Sequence, residues 1–339
     1  MAQPSRGAHE RIAQSIAPVG FDLEGAVTAP MPIVAPRRIE GTALAVYPLA
    51  LGASVFGWTA DNDTSMEIMD RYHDLGGNFI DTADSYTGGR SEVVIGNWMR
   101  NRHNRERIVV ATKIGHHQDN PGLGPVSIVR AVEASLERLQ TDWIDLLFFH
   151  FDDTSVAMEE SLATVEWLIE TGKVRYLGAS NYSAERLTEA RILSSSGLPK
   201  FVALQCHYNL MHRVAFEGDL RMTVSAQAMA VMPYFALANG FLTGKYRSKS
   251  DIGDNARGIH AGEYVNRKGY RVLAALDRVA ADHESVPGTI ALAWLLAKRN
   301  VVAPVASASH PDQVDALMAA ANIRLTRSQM LELDRVSEA

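Results

Sequence analysis

A single cysteine, Cys206, among 339 residues excludes an intramolecular disulfide and any cysteine-rich zinc site, and it suits a reducing compartment. No HExxH pairing or clustered His/Cys spacing offers a metal centre instead. Cationic excess is missing too. With 33 Lys and Arg against 39 Asp and Glu, the formal net charge is −6, which gives no basic field for nucleic acid or anionic lipid. Apolar runs long enough to span a membrane are absent. The first 35 residues also lack the apolar core of a secretory signal, because Pro18, Asp22, Glu24 and Pro30 interrupt their apolar stretches. These absences point to a cytoplasmic protein whose partner is a small molecule.

What is present suits a large folded core: 47% of the residues are hydrophobic and 21% charged. Residues 1–35, rich in Ala, Pro and Gly and without periodicity, are expected to form a poorly ordered extension, and residues 36–339 a single domain. Short apolar segments then recur at 46–52, 78–82, 107–113, 144–150, 174–180, 201–206, 230–236 and 301–307. Stretches of helical period separate them. Between the third and fourth, Ile128, Val129, Val132, Leu136 and Leu139 share one face, with Arg130, Glu133 and Glu137 on the other. Before the second, Thr64 with Glu67 resembles a capping box, and Gly76 stands where a left-handed residue ends a helix. Eight strand and helix units predict an α/β protein, a closed (β/α)8 TIM barrel, with an open doubly wound sheet as the alternative. The dinucleotide fingerprint of the open fold is missing, since "GLGPVS" at 122–127 lacks the third glycine of GxGxxG. "GFLTGKY" at 240–246 fails as a phosphate loop, with one residue too few between its glycines and Tyr246 in place of Ser or Thr. The long gap between strands seven and eight predicts an extended loop near 237–268 over the barrel mouth.

In such a barrel, polar residues at the C-terminal strand ends share one mouth. Asp81 and Tyr86 follow the second strand, Lys113 ends the third and His150 ends the fourth. Taken singly, each has a structural explanation: a turn carboxylate, a rim aromatic, a snorkelling lysine and a hydrogen-bonded interior histidine. Together they form a proton-transfer unit. A phenol with an ordinary pKa near ~10 is a poor acid at neutral pH, and a neighbouring ammonium favours its ionised form. Asp81 would keep Lys113 in place and charged, and His150 would orient the oxygen that receives the proton.

These residues resemble the aldo-keto reductase family, from about Arg37 to the C-terminus. The carriers of the resemblance are "DTADSY" at 81–86, "ATK" at 111–113 and "FFH" at 148–150. The resemblance implies a TIM-barrel oxidoreductase that moves a hydride between NADP(H) and an aldehyde or ketone, with Tyr86, Lys113, Asp81 and His150 as the catalytic four. It also implies cofactor contacts: Ser180, Asn181 and Gln205 to the nicotinamide amide, Tyr234 stacked on the ring, and backbone amides from Leu237 and Ala238 to Gly240, with Lys245 and Arg257, on the diphosphate. Ser309, His310 and Gln313 would meet the adenosine phosphate. Phe56, Trp58, His116 and Phe151 are expected around the substrate. Two departures stand out. Phe235-Ala236 replaces the usual Ser-Pro after the stacking aromatic, and Ala316-Leu317 replaces the Glu-Asn pair that meets adenine. With no arginine at 309 or 310, the expected preference for NADPH is modest. A regulatory, cofactor-bound protein resembling the potassium-channel β subunits is the alternative, and the complete set of four favours turnover.

Overall fold

Residues 34–252 and 260–338 are described by the computed structural model of the chain. The eight apolar segments are its barrel strands: β1 (Ala50–Gly52), β2 (Phe79–Asp81), β3 (Val109–Ile114), β4 (Ile144–Phe149), β5 (Val174–Ser180), β6 (Phe201–His207), β7 (Ala230–Tyr234) and β8 (Val305–Ala306). They pair in parallel in the order β7-β6-β5-β4-β3-β2-β1-β8. Val231 of β7 bridges Val301 just ahead of β8, and the Val302 N–H donates to the Val231 carbonyl at 3.0 Å, joining the two ends. Helices lie between successive strands, which is the (β/α)8 barrel rather than the open sheet. Of the expected extension, residues 1–33 lie outside the described residues.

The first apolar segment divides in two. Ala45–Val46 pairs with Arg37–Arg38 in an antiparallel hairpin, and only Ala50–Gly52 joins the barrel. Ile39, Leu44 and Val46 of this hairpin are buried with Ala50, Phe79, Ala111, Leu146, Phe148, Ala203, Ala230 and Met232, the cluster that fills the barrel interior. The hairpin therefore closes the barrel on the side away from the mouth. Gly178 sits opposite Phe148 in the β4–β5 pairing, and a Cβ there would meet the Phe148 ring at 2.4 Å, so glycine makes room for the large interior ring.

A second correction concerns the first helix, Asn62–Asp74. Its cap is Asp61, whose side chain accepts from the Thr64 N–H at 2.9 Å. Thr64 is thus already inside the helix, where the sequence pattern placed the cap. Gly76 has φ +88°, as expected just beyond a helix end.

Strand alternation positions the site. Side chains two apart on a strand point to the same side. Phe79 lies in the interior cluster, as do Ala111, Leu146 and Phe148, and Ala203, Ala230 and Met232. Continuing each strand by twos reaches Asp81, Lys113, His150, Gln205 and Tyr234, all of which line one cavity at the C-terminal end.

Candidate active site

Lys113 is the centre of the arrangement. Its side chain is 2% exposed; Nζ donates to Asp81 Oδ2 at 2.8 Å and to the Thr82 carbonyl at 2.7 Å. Burial by itself pulls the Lys113 pKa down, but Asp81, with help from Tyr86, outweighs burial and holds it above its ordinary value. Asp81 is occupied on its other side by Gln205 Nε2, which donates to Oδ1. One carboxylate therefore orients two groups.

The Lys113 Nζ lies 5.0 Å from the centre of the Tyr86 ring. Lys113 does pull the phenol pKa down, as the sequence implied, yet burial is the larger effect and Asp81 adds to it, so the net shift is upward. Tyr86 is accordingly a protonated phenol through the neutral range. The expected lowering is corrected because the depth of the site could not be read from residue types.

His150 follows β4 directly, stacks on Phe151 with ring centroids 5.0 Å apart and meets Tyr86 edge-on at 6.1 Å. Burial, then the charge of Lys113 and the neighbouring His116, pushes its pKa down to about 3, so the imidazole is neutral. Its Nδ1 has no hydrogen-bond partner among the described residues. Tyr86, Lys113, Asp81 and His150 thus meet at one end of a cavity of about 830 Å³.

The remaining expected residues divide. Asn181, at φ +60°, donates from Nδ2 to the His150 carbonyl at 2.9 Å and to Ser180 Oγ at 3.0 Å, while its Oδ1 accepts from the Tyr234 hydroxyl at 2.6 Å. Gln205 Oε1 is buried without a partner among the described residues, an acceptor left free for a ligand. Leu237, Gly240 and Lys245 line the cavity along the loop after β7. Ala238 does not: its side chain is fully buried, and its N–H donates to the Phe235 carbonyl at 2.8 Å. The Gly240 N–H is likewise used, on the Leu237 carbonyl at 2.9 Å, so these two amides are committed to turns. Ser309 and Gln313 line the far end, joined by a 2.9 Å bond from the Ser309 N–H to Gln313 Oε1. His310 faces Asp312 instead, at 3.2 Å. Arg257 lies outside the described residues.

Among the expected substrate residues, Trp58 and Phe151 line the mouth, 59% and 47% exposed. His116 is exposed beside them, its ring 5.2 Å from Phe151. Phe56 is a correction: it is fully buried in the core between barrel and helices and does not reach the cavity. Phe235, which the sequence marked only as a departure, lines the cavity at φ +49° and 51% exposure. Two donors fix this backbone: the Phe235 carbonyl accepts from the Ala238 N–H at 2.8 Å and from Asn209 Nδ2 at 2.9 Å. Thr289, Val286 and Asp312 also line the cavity and carried no motif.

One buried acid stands behind the site. Asp84 is fully buried, its N–H donates to the Lys113 carbonyl at 3.0 Å, and neither carboxylate oxygen has a partner among the described residues. Burial and the nearby Glu92, opposed by Arg138 and Lys113, push its pKa up from 3.8 to about 7. The folded state therefore holds this proton more tightly than the unfolded chain does. Asp84 costs stability progressively as pH rises from about 4 to about 7. Asp84→Asn is expected to raise the melting temperature at pH 8, by the equivalent of up to about 4 kcal/mol, and to change it little at pH 4. Thermal melts at both values check this; an equal effect at each would show that Asp84 does not titrate in between.

Comparison with known proteins agrees with this geometry. The model of the aldo/keto reductase family matches residues 48–338. An aldo-keto reductase of Aspergillus calidoustus is 34% identical over 330 residues, covering 89% of this chain and 82% of that protein. A norsolorinic acid reductase of Aspergillus flavus is 31% identical over 329 residues, covering 91% and 83%, and an aryl-alcohol dehydrogenase of Pestalotiopsis microspora is 32% identical, covering 90% and 84%. The chain belongs to the aldo/keto reductase family and is an oxidoreductase of the carbonyl–alcohol type.

Proposed function

We propose that the protein reduces an aromatic aldehyde or ketone to the alcohol with NADPH, and that Tyr86 gives the proton to the carbonyl oxygen. The observation that carries this reading is the buried Lys113 ammonium, locked between Asp81 and the Thr82 carbonyl with Nζ 5.0 Å from the Tyr86 ring centre. A phenol that gives up its proton becomes a phenolate, and a fixed cation beside it lowers the cost of that charge. Asp81 keeps the cation in place. The neutral His150 retains one N–H, which can hold the substrate oxygen without adding a competing charge. The reverse oxidation uses the same groups in the opposite order.

The residues present fit a nicotinamide. The buried Gln205 Oε1, free among the described residues, can accept from a carboxamide, Ser180 and Asn181 are its polar neighbours, and the Tyr234 ring lines the same cavity. When bound, the reduced nicotinamide supplies the hydride. Asn239 and Lys245 line the cavity on the loop after β7, and the Lys245 ammonium would meet a diphosphate. The aromatic preference comes from Trp58, Phe151 and Phe235, three exposed rings around the mouth that would cover a flat apolar body. Relatives named for norsolorinic acid and for aryl alcohols agree with it. A cytoplasmic location accords with the single cysteine, and no helix among the described residues is long and apolar enough to cross a membrane.

Loss of NADPH absorbance with purified protein tests the proposal. Aryl aldehydes are expected to show kcat/KM about tenfold or more above aliphatic aldehydes of similar size, the scale of one well-filled apolar subsite. No turnover in either direction with any carbonyl or alcohol would overturn it.

A further inference from the structure

Beside Tyr234 lies a pair of histidines for which the proposed reaction has no use. His207 is the register partner of Tyr234 in the β6–β7 pairing and stacks on its ring, with centroids 5.6 Å apart and planes 26° from parallel. His212 stacks on His207 in turn, at 3.8 Å and 7°. Asn209 holds the arrangement: its Oδ1 accepts from the N–H groups of Met211 and His212 at 2.8 and 3.0 Å, closing a tight turn, and its Nδ2 donates to the Phe235 carbonyl. Phe235 meets both His207 and Tyr234 edge-on, at 5.3 and 5.1 Å. Packing alone does not account for histidine here. His207 Nε2 is buried without a partner among the described residues, a cost that an apolar ring would avoid. Neither histidine lines the cavity, whereas Tyr234 does. Tyr234 thus gives one face to His207 and has the other for a ligand.

We propose that the His207–His212 pair sets the relative affinity for oxidised and reduced nicotinamide, acting through Tyr234; the inference rests on the nicotinamide reading above. The oxidised ring carries a positive charge that the reduced ring lacks, and the face of a phenol attracts a cation. Neutral imidazoles behind Tyr234 leave that attraction intact. A proton on either imidazole sets a like charge on the far side of Tyr234 and disfavours the oxidised ring alone. At pH 8 the pair is uncharged: burial, then His212, pushes the His207 pKa down to about 4, and burial, then Lys268, holds His212 below its ordinary value. The titratable side chains set against the pair are Tyr234, whose phenol burial pushes up to about 12, and Lys268 of the helix Arg267–Asp282. Acid therefore charges the stack and weakens the oxidised form selectively. The length of the stack makes the effect moderate.

Isothermal titration of the full chain with NADP+ and with NADPH tests the assignment, comparing the parent, His212→Arg and the double variant His207→Phe with His212→Phe, at about pH 8 and about pH 5.5. The readout is the ratio of the two dissociation constants, in which effects common to both dinucleotides, such as titration of their 2′-phosphate, cancel. In His212→Arg, which fixes a charge at the end of the stack, NADP+ is expected to loosen about three- to tenfold relative to NADPH at the higher pH. In the parent the same ratio should rise about two- to fivefold on acidification. In the double variant, which keeps both rings and removes their basic nitrogens, the ratio should not depend on pH. An unchanged ratio in His212→Arg or in the acidified parent, or a pH-dependent ratio that survives in the double variant, would overturn the role of the pair while leaving the cofactor reading in place. Failure of the parent to bind either dinucleotide would overturn that reading and this inference with it.

Discussion

Lys113→Met is expected to abolish measurable turnover, by about 10³-fold or more, and also to lower the melting temperature. The first effect follows from the loss of the fixed cation beside Tyr86. The second follows from what remains: Asp81, 2% exposed, would be left with Gln205 as its one side-chain donor among the described residues. Breaking a buried pair on one side typically costs about 3–5 kcal/mol, because the surviving charge is uncompensated. The two losses can be separated. Adding Asp81→Asn to Lys113→Met removes the stranded carboxylate, so stability should return toward the parent value while activity stays lost. Activity and assay stability are then read on the same preparations by NADPH consumption and thermal melts. Recovery of turnover together with stability in the double variant would mean that Lys113 only supports the fold.

Tyr86→Phe is the second large expected effect, a fall in kcat of about 10²–10⁴ with cofactor affinity within about twofold of the parent. The substitution keeps the ring that meets His150 edge-on at 6.1 Å and lies 5.0 Å from the lysine nitrogen, and it removes only the hydroxyl. Because burial keeps the phenol protonated at neutral pH, the parent enters the reaction with the proton already on the donor. Among the described residues the Phe variant has no equivalent group nearby: His150 is neutral with its pKa pushed down to about 3, and Lys113 is committed to Asp81 and the Thr82 carbonyl. Parental turnover in Tyr86→Phe, measured with a good aryl aldehyde, would show that the proton comes from elsewhere.

The barrel was legible in the sequence because buried parallel strands are apolar on both faces, and each of the eight apolar segments contains one barrel strand. The meeting of Asp81, Lys113 and His150 was legible for a related reason: an alternating strand that carries Phe79, Ala111 or Phe148 inward carries the residue two further on into the mouth. Loops resisted the same treatment. Phe56 and Trp58 are two residues apart, both aromatic and both outside regular structure, yet one is fully buried and the other 59% exposed. Side-chain type cannot separate them, since an apolar ring favours burial wherever the backbone permits it. The amides of Ala238 and Gly240 are spent on turns that depend on left-handed backbone at Ala238, Asn239 and Gly240, and only one of the three is glycine. Asp312 and Thr289 reach the cavity from helices whose placement depends on the whole barrel. The direction of the Tyr86 shift was missed for an energetic reason. Two opposing effects act on the phenol, and the magnitude of burial is a property of the fold.

The pH dependence of kcat/KM for aryl aldehyde reduction, in the parent and in Tyr86→Phe, reaches the central claim most directly, since it reports the protonation state of the proton donor. A buried phenol whose pKa is shifted up from its ordinary value of about 10 predicts a flat profile through neutral pH and a decline only in the alkaline range. That decline should vanish from the residual activity of Tyr86→Phe. A decline centred near neutral pH in the parent, or an alkaline decline that survives in Tyr86→Phe, would contradict the account.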